Sequence, residues 1–141
     1  MTSLQNGLFE SLGLPVDVLT NQAEYIHFVR DGIPGEVVRR AVKVFDNREL
    51  FVKLLGTTSS NLSRYYRVKK MSRIDSEEML DTIRLYGQAL RVFGEMEKAK
   101  EWIQTPLPVF SGARPESLFD TFEGRIWVSQ ALRKIEYGEF V

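Results

Sequence analysis

Across residues 76–93 the apolar side chains Met79, Ile83, Tyr86, Leu90 and Phe93 recur at alternating steps of four and three, one stripe of an amphipathic helix. Asp75 offers an N-cap with Glu78 three residues on, and Gly94 offers a C-terminal stop. The same grammar returns at the end of the chain. Asp120 with Glu123 makes a capping-box-like start, Val128, Leu132 and Ile135 form the stripe, and Gly138 closes it. Residues 95–104 predict a shorter helix with Trp102 and Ile103 facing in, stopped by Thr105-Pro106. Residues 35–45 predict another, burying Val37, Val38, Ala41, Val42 and Phe45 and turning Arg39, Arg40 and Lys43 to water. Residues 25–29 fit either a short strand or the opening of a helix. The run PLPVFSGARP at 106–115 reads as an extended loop, and no repeat interrupts the chain. The pattern predicts an all-α fold.

Residues 47–67, NRELFVKLLGTTSSNLSRYYR, carry a more particular signal. A helix bearing Leu50, Phe51, Leu54 and Leu55 runs into Gly56, which tolerates the positive φ of a tight turn. Thr57, Thr58 and Ser59 then supply hydroxyl caps for a second helix. Leu62 and Tyr66 would face in, leaving Ser60, Asn61, Ser63, Arg64 and Arg67 outward. A helix that reads DNA needs this division: an apolar underside, small polar residues near its start for base edges, and cations for phosphates. Lys69, Lys70 and Arg73 follow directly and suit backbone contacts. An ordinary helical hairpin with a polar edge has the same outline.

Charge sharpens the choice. The 141 residues balance 19 Lys and Arg against 19 Asp and Glu, a net of zero. Residues 1–38 nonetheless carry −4, residues 39–73 carry +8, and residues 74–141 carry −4. The basic third contains the helix-turn-helix candidate, as a phosphate-backbone partner requires; a solvated helical surface is the alternative. The DNA-binding candidates are therefore Ser59, Ser60, Asn61, Ser63, Arg64, Arg67, Lys69, Lys70 and Arg73.

Other chemistries find little support. There is no cysteine and a single histidine, His27, so thiolate zinc sites, disulfides and multi-His metal sites are excluded. Glu77-Glu78 and Glu95 with Glu97 read as acids at exposed helix starts, where they favour the dipole. No glycine-rich phosphate loop occurs, and Trp102 and Trp127 read as core or interface residues. The expectation is a protein without catalytic residues, metal or cofactor. No apolar run approaches the roughly 20 residues of a membrane span, and the first residues lack a signal-peptide pattern, so a cytoplasmic protein is expected.

From Arg91 onward the chain resembles the toxin-binding domain of the Xre/ParS/MbcA antitoxin family. The matching pieces are Val92-Phe93-Gly94, the Ala99…Trp102…Thr105-Pro106 helix end, the Gly112…Arg114-Pro115…Leu118 loop and the closing Ile135-Glu136-Tyr137-Gly138. Gly32-Ile33-Pro34 and the helix-turn-helix candidate also look like the N-terminal part of these antitoxins. Leu107-Pro108 stands where the family often has Asn-Pro, and Phe119 where a Leu is more usual. The resemblance implies three parts: a lead-in over 1–24 that has no match and is either mobile or ordered; an Xre-like helix-turn-helix domain over 25–87; and a toxin-binding domain over 88–141. It further implies an antitoxin that blocks the active site of a RES-domain, NAD-consuming toxin with its C-terminal segment and autoregulates its operon by binding operator DNA. The toxin-facing residues would be Tyr137, Gly138, Glu139, Phe140 and Val141. Phe140 either enters the toxin's pocket or folds back on its own core, and Tyr137 belongs either to the core or to the interface. Helix-turn-helix proteins commonly pair to meet two half-sites, so a homodimer is expected. A toxin-binding module without DNA readout and a stand-alone transcription regulator are the rival readings.

Overall fold

The computed structural model describes residues 3–138. Nine α-helices occur in this span: α1 Ser3–Ser11, α2 Asp17–Thr20, α3 Gln22–Asp31, α4 Glu36–Phe45, α5 Arg48–Leu54, α6 Leu62–Tyr65, α7 Arg73–Phe93, α8 Met96–Ile103 and α9 Phe122–Glu136. Two short 3-10 turns, Pro108–Phe110 and Pro115–Leu118, lie between α8 and α9. No strand occurs among the described residues, so the fold is all-α and residues 25–29 belong to α3. No helix among them is long and apolar enough to cross a membrane.

The molecule is assembled around α7. Met79, Ile83, Tyr86 and Leu90 of its stripe are buried and Phe93 is half-buried, but Leu80, Thr82, Leu85, Gly87 and Ala89 are buried as well. A helix covered on most of its circumference needs neighbours on several sides, and α7 packs against α1, α3, α5, α8 and α9. The first residues take part in this packing: Leu8, Phe9, Leu12, Leu14 and Val18 are buried, and Gln5 donates to the Gly87 carbonyl at 3.0 Å. They cover a side of α7 that a single stripe leaves to solvent. The division expected between residues 87 and 88 falls inside α7, which continues unbroken to Phe93.

Two helix starts also differ from expectation. Ser72, not Asp75, caps α7, its hydroxyl accepting the Asp75 N–H at 3.1 Å. The chain is already fixed there, because the Met71 N–H donates to the Ile33 carbonyl at 2.8 Å. Thr121, one residue beyond Asp120, caps α9 by accepting from the Gly124 N–H at 3.0 Å. The burial of Phe119 sets that entry.

Stacked rings knit the layers together. Phe51 of α5 lies against Phe45 of α4, which stacks on Tyr86 of α7 with centroids 3.8 Å apart, and Tyr86 meets Phe119 edge-on. Phe119, the departure from the family's usual Leu, thus fills the core against Tyr86.

The strongest polar tie is between α7 and α9. Arg125 is only 3% exposed, and its Nε donates to Asp81 at 2.6 Å. Its Nη atoms donate to Glu78 at 3.1 and 3.2 Å and to the Phe119 carbonyl at 2.9 Å. Glu78 is therefore not an acid on a free helix start, since it neutralises a buried cation. Burial works against the Arg125 charge, but the hydrogen bonds to Asp81 and Glu78 outweigh it and hold the guanidinium above its usual value. Removing one partner of a buried pair leaves the other charge uncompensated. Arg125→Ala is expected to lower the unfolding free energy by about 3 kcal/mol in urea denaturation. Arg84→Ala, which breaks a more exposed pair with the same Asp81, should cost about 1 kcal/mol or less.

Candidate functional site

Asn47 caps α5, its side-chain oxygen accepting the Leu50 N–H at 3.2 Å, and Leu50, Phe51 and Leu54 anchor the helix in the core. Gly56 then turns the chain with φ of 62°. The second helix is much shorter than its sequence pattern predicts: α6 is one turn, Leu62–Tyr65, with Tyr66 as its C-cap. The Ser/Thr/Asn run before it bonds to itself instead. Thr58 Oγ1 accepts the Asn61 N–H at 3.2 Å and lies 3.2 Å from Ser60 Oγ. Such side chains offer the backbone an alternative to helix.

The turn is held from beneath by Leu62, which is fully buried, and by Tyr65, whose hydroxyl donates to the Leu55 carbonyl at 3.3 Å. Burial pushes the Tyr65 hydroxyl up. The segment that follows crosses Gly32–Gly35 closely. The Gly35 N–H donates to the Val68 carbonyl at 2.9 Å, and a Cβ at Gly35 would sit 1.6 Å from the Tyr65 carbonyl oxygen. Only glycine fits there.

Ser59, Ser60, Ser63, Arg64, Arg67, Lys69, Lys70 and Arg73 are all exposed, and Asn61 is half-buried. Three of them already have side-chain partners within the protein, Ser60 through the Thr58 hydroxyl. Lys70 pairs with Asp31 at 2.7 Å, and its hydrogen bond holds the Asp31 carboxyl below the usual range. Ser59 is bonded by Arg48 through both its hydroxyl and its carbonyl. Among the described residues no ion pair engages Arg64, Arg67, Lys69 or Arg73. On α4 the hydrogen bond from Arg39, with further pairing to Arg40, brings the Glu36 carboxyl down to about 2, so these cations are partly spent within their own helix. Sequence reading missed Arg48, counted there only as one cation of the basic third.

The C-terminal part is ordered by its own loop. The Leu107 N–H donates to the Ala113 carbonyl at 3.2 Å, the Gly112 N–H returns to the Leu107 carbonyl at 3.0 Å, and Arg114 Nε donates to the Gln104 carbonyl at 3.0 Å. Phe110, buried, meets Trp127 edge-on at 5.0 Å and Trp102 at 6.2 Å. Arg91 of α7 forks onto Glu136 near the end of α9. Just beyond, Tyr137 is 73% exposed, so its ring is not a core residue. Gly138 ends the described span. Glu139, Phe140 and Val141, assigned to toxin contact, lie outside it. Among the described residues no group of three or more His, Cys, Asp or Glu is placed to hold a metal ion.

One polar seam joins the two regions. Asn47 donates through Nδ2 to Glu116 at 3.4 Å, and burial pushes the Tyr86 hydroxyl well up against the opposing effect of Asn47.

These features define an all-α protein with a helix–turn–helix segment on a basic surface and a helical C-terminal part that ends in an exposed aromatic residue. Residues 88–138 match the model of the antitoxin Xre/MbcA/ParS C-terminal toxin-binding domain. The chain is 26% identical over 158 aligned positions to the Prs ADP-ribosylating antitoxin of Sphingobium sp. (strain YBL2), covering 99% of each protein. It is 32% identical over 76 residues to an Antitoxin Xre of Pseudomonas putida, covering 54% of this chain and 48% of that one. To an Antitoxin Xre of Photorhabdus laumondii it is 23% identical over 138 residues, 94% and 90% of the two chains. Residues 88–138 are thus similar to the toxin-binding domain of Xre/MbcA/ParS antitoxins, and over nearly its whole length the chain is similar to two proteins named as antitoxins.

The seam gives a pH prediction. Burial raises the Glu116 carboxyl above its ordinary value, against the opposing pull of Arg114. The folded state therefore binds this proton more tightly than the unfolded chain, and wild-type stability declines as pH rises through the ordinary and then the raised value. Glu116→Gln keeps an acceptor for Asn47 and removes the charge. Its melting temperature relative to wild type should be higher near pH 7 than near pH 3, where both side chains are neutral.

Proposed function

We propose that this chain is the antitoxin of a RES-domain, NAD-consuming toxin, which it neutralises by occluding the toxin's active site with its C-terminal segment, Tyr137, Gly138, Glu139, Phe140 and Val141. The observation that carries this reading is the match of residues 88–138 to a toxin-binding domain whose last helix delivers an exposed Tyr137. A pocket built for a dinucleotide offers cations for its pyrophosphate and a surface for stacking a ring. Glu139 and Phe140 match those two needs without offering a bond to cleave. The Sphingobium relative has "ADP-ribosylating" in its name, and ADP-ribose transfer is one way of consuming NAD.

The second half of the proposal is that the same chain, as a cytoplasmic homodimer, binds operator DNA through α5, the turn and α6 and so represses its own operon. Arg64, Arg67, Lys69 and Arg73, exposed and without an ion pair among the described residues, support it, as does the +8 charge of residues 39–73. A pair of such modules would meet two half-sites about one helical turn apart. The single turn of α6 favours one rival, a toxin-binding module that does not read DNA itself.

Two variants separate these activities. Arg64→Ala combined with Arg67→Ala should abolish the gel shift of a duplex from upstream of the gene while toxin neutralisation persists. Wild-type binding by this double variant would exclude α6 as the DNA contact. Deleting residues 139–141 should leave folding and the gel shift intact but release toxin activity in a growth assay. Full neutralisation by the shortened chain would rule out the occluding segment.

A further inference from the structure

An α-helix of four residues cannot hold itself. Its nucleation cost is met by too few hydrogen bonds, so the position of α6 must be imposed from outside. Leu62 and Tyr65 impose it from the core side, but neither reaches the solvent face, where Ser60, Ser63 and Arg64 project. On that side one guanidinium spans the whole turn. Arg48 Nε donates to Ser59 Oγ at 3.2 Å and Nη2 to the Ser59 carbonyl at 2.5 Å, while Nη1 donates to the Tyr66 hydroxyl at 3.4 Å. Ser59 precedes α6 and Tyr66 is its C-cap, so a single side chain grips both ends.

The placement of Arg48 argues against a role in its own helix. It is the first residue of α5, where a cation opposes the helix dipole. The bonds to Ser59 use two parallel N–H groups of a planar fork, which an ammonium cannot reproduce.

We infer that Arg48 is a positioning residue: it clamps Ser59 to Tyr66 across α6 and so presents Ser60, Ser63 and Arg64 to DNA, without being a phosphate contact itself. The inference rests on the DNA-binding reading above and adds the element that makes a one-turn reader competent.

The test uses the full chain and its Arg48→Lys and Arg48→Ala variants. Each is titrated by fluorescence anisotropy against a labelled duplex from upstream of the gene, at several salt concentrations. Amide hydrogen exchange and toxin neutralisation are measured alongside. A clamp predicts that both variants lose affinity about tenfold or more with the salt slope unchanged. It also predicts faster exchange confined to residues 57–66, with neutralisation retained. A Lys variant that binds within about twofold of wild type would overturn the inference, because charge alone would then suffice. A salt slope reduced by about one would overturn it equally, by making Arg48 a phosphate contact. Unchanged exchange over 57–66 would do the same. If the wild type itself fails to bind the duplex, the DNA reading falls and this inference falls with it, whereas wild-type binding with insensitive variants removes only the clamp.

Discussion

Arg125 enters the core as a charge, and the carboxylates that neutralise it come from α7: Glu78 and Asp81, both upstream of the residue at which the toxin-binding domain's family match begins. A cation taken from water costs several kcal/mol unless its partners are well placed. Here Nε and both Nη atoms have partners, one of them the Phe119 carbonyl, which fixes the loop feeding α9. The pairing permits one register of α9 on α7, because a shift of α9 by one residue would swing Arg125 off both carboxylates. The unit defined by family likeness is therefore smaller than the unit defined by physical dependence.

That dependence carries through to the other end of the molecule. Tyr86, one turn beyond Arg125's partners on the same helix, stacks on Phe45 and touches Phe119, so α4, α5, α7 and the loop before α9 share one aromatic core. Asn47 adds a polar link across the same seam, bonding Glu116 while it caps α5. With α7 unbroken between the basic surface and the C-terminal helices, the two regions have no hinge at residue 87. A change at one can reach the other only by repacking this core or by altering the seam.

What was legible in the sequence was what local spacing encodes. The stripe Met79, Ile83, Tyr86, Leu90 declared α7, and Val128 with Leu132 declared α9, because a helix repeats its buried face every three to four residues. What failed was set by residues far away in the chain. Asp75 looks like a cap and Ser72 is one, because Met71 is pinned to Ile33. Residues 3–24 looked unplaced because their apolar side chains answer to the far side of α7, which its single stripe does not reveal. Glu78 looked like a surface acid because its partner lies 47 positions on. In the resemblance, Phe119 is a departure from pattern, and its reason is a ring on α7.

The basic third shows how a charge count becomes a surface. Its ten cations share a sign but not a role. Arg39 and Arg40 are engaged by Glu36, Lys70 by Asp31 and Arg48 by Ser59 and Tyr66. A guanidinium already forked onto protein oxygens must give up those bonds before it can take a phosphate, and that exchange yields little net energy. Among the described residues the other six of these cations have no ion pair: Lys43 on α4, Lys53 on α5, and Arg64, Arg67, Lys69 and Arg73. Four of the six thus stand at and just beyond α6, where the helix itself is weakest. A long recognition helix sets its own side-chain spacing; a one-turn helix must borrow it from neighbours. Arg48 is what it borrows from, so a cation that looks redundant for binding shapes the surface that Arg64 presents.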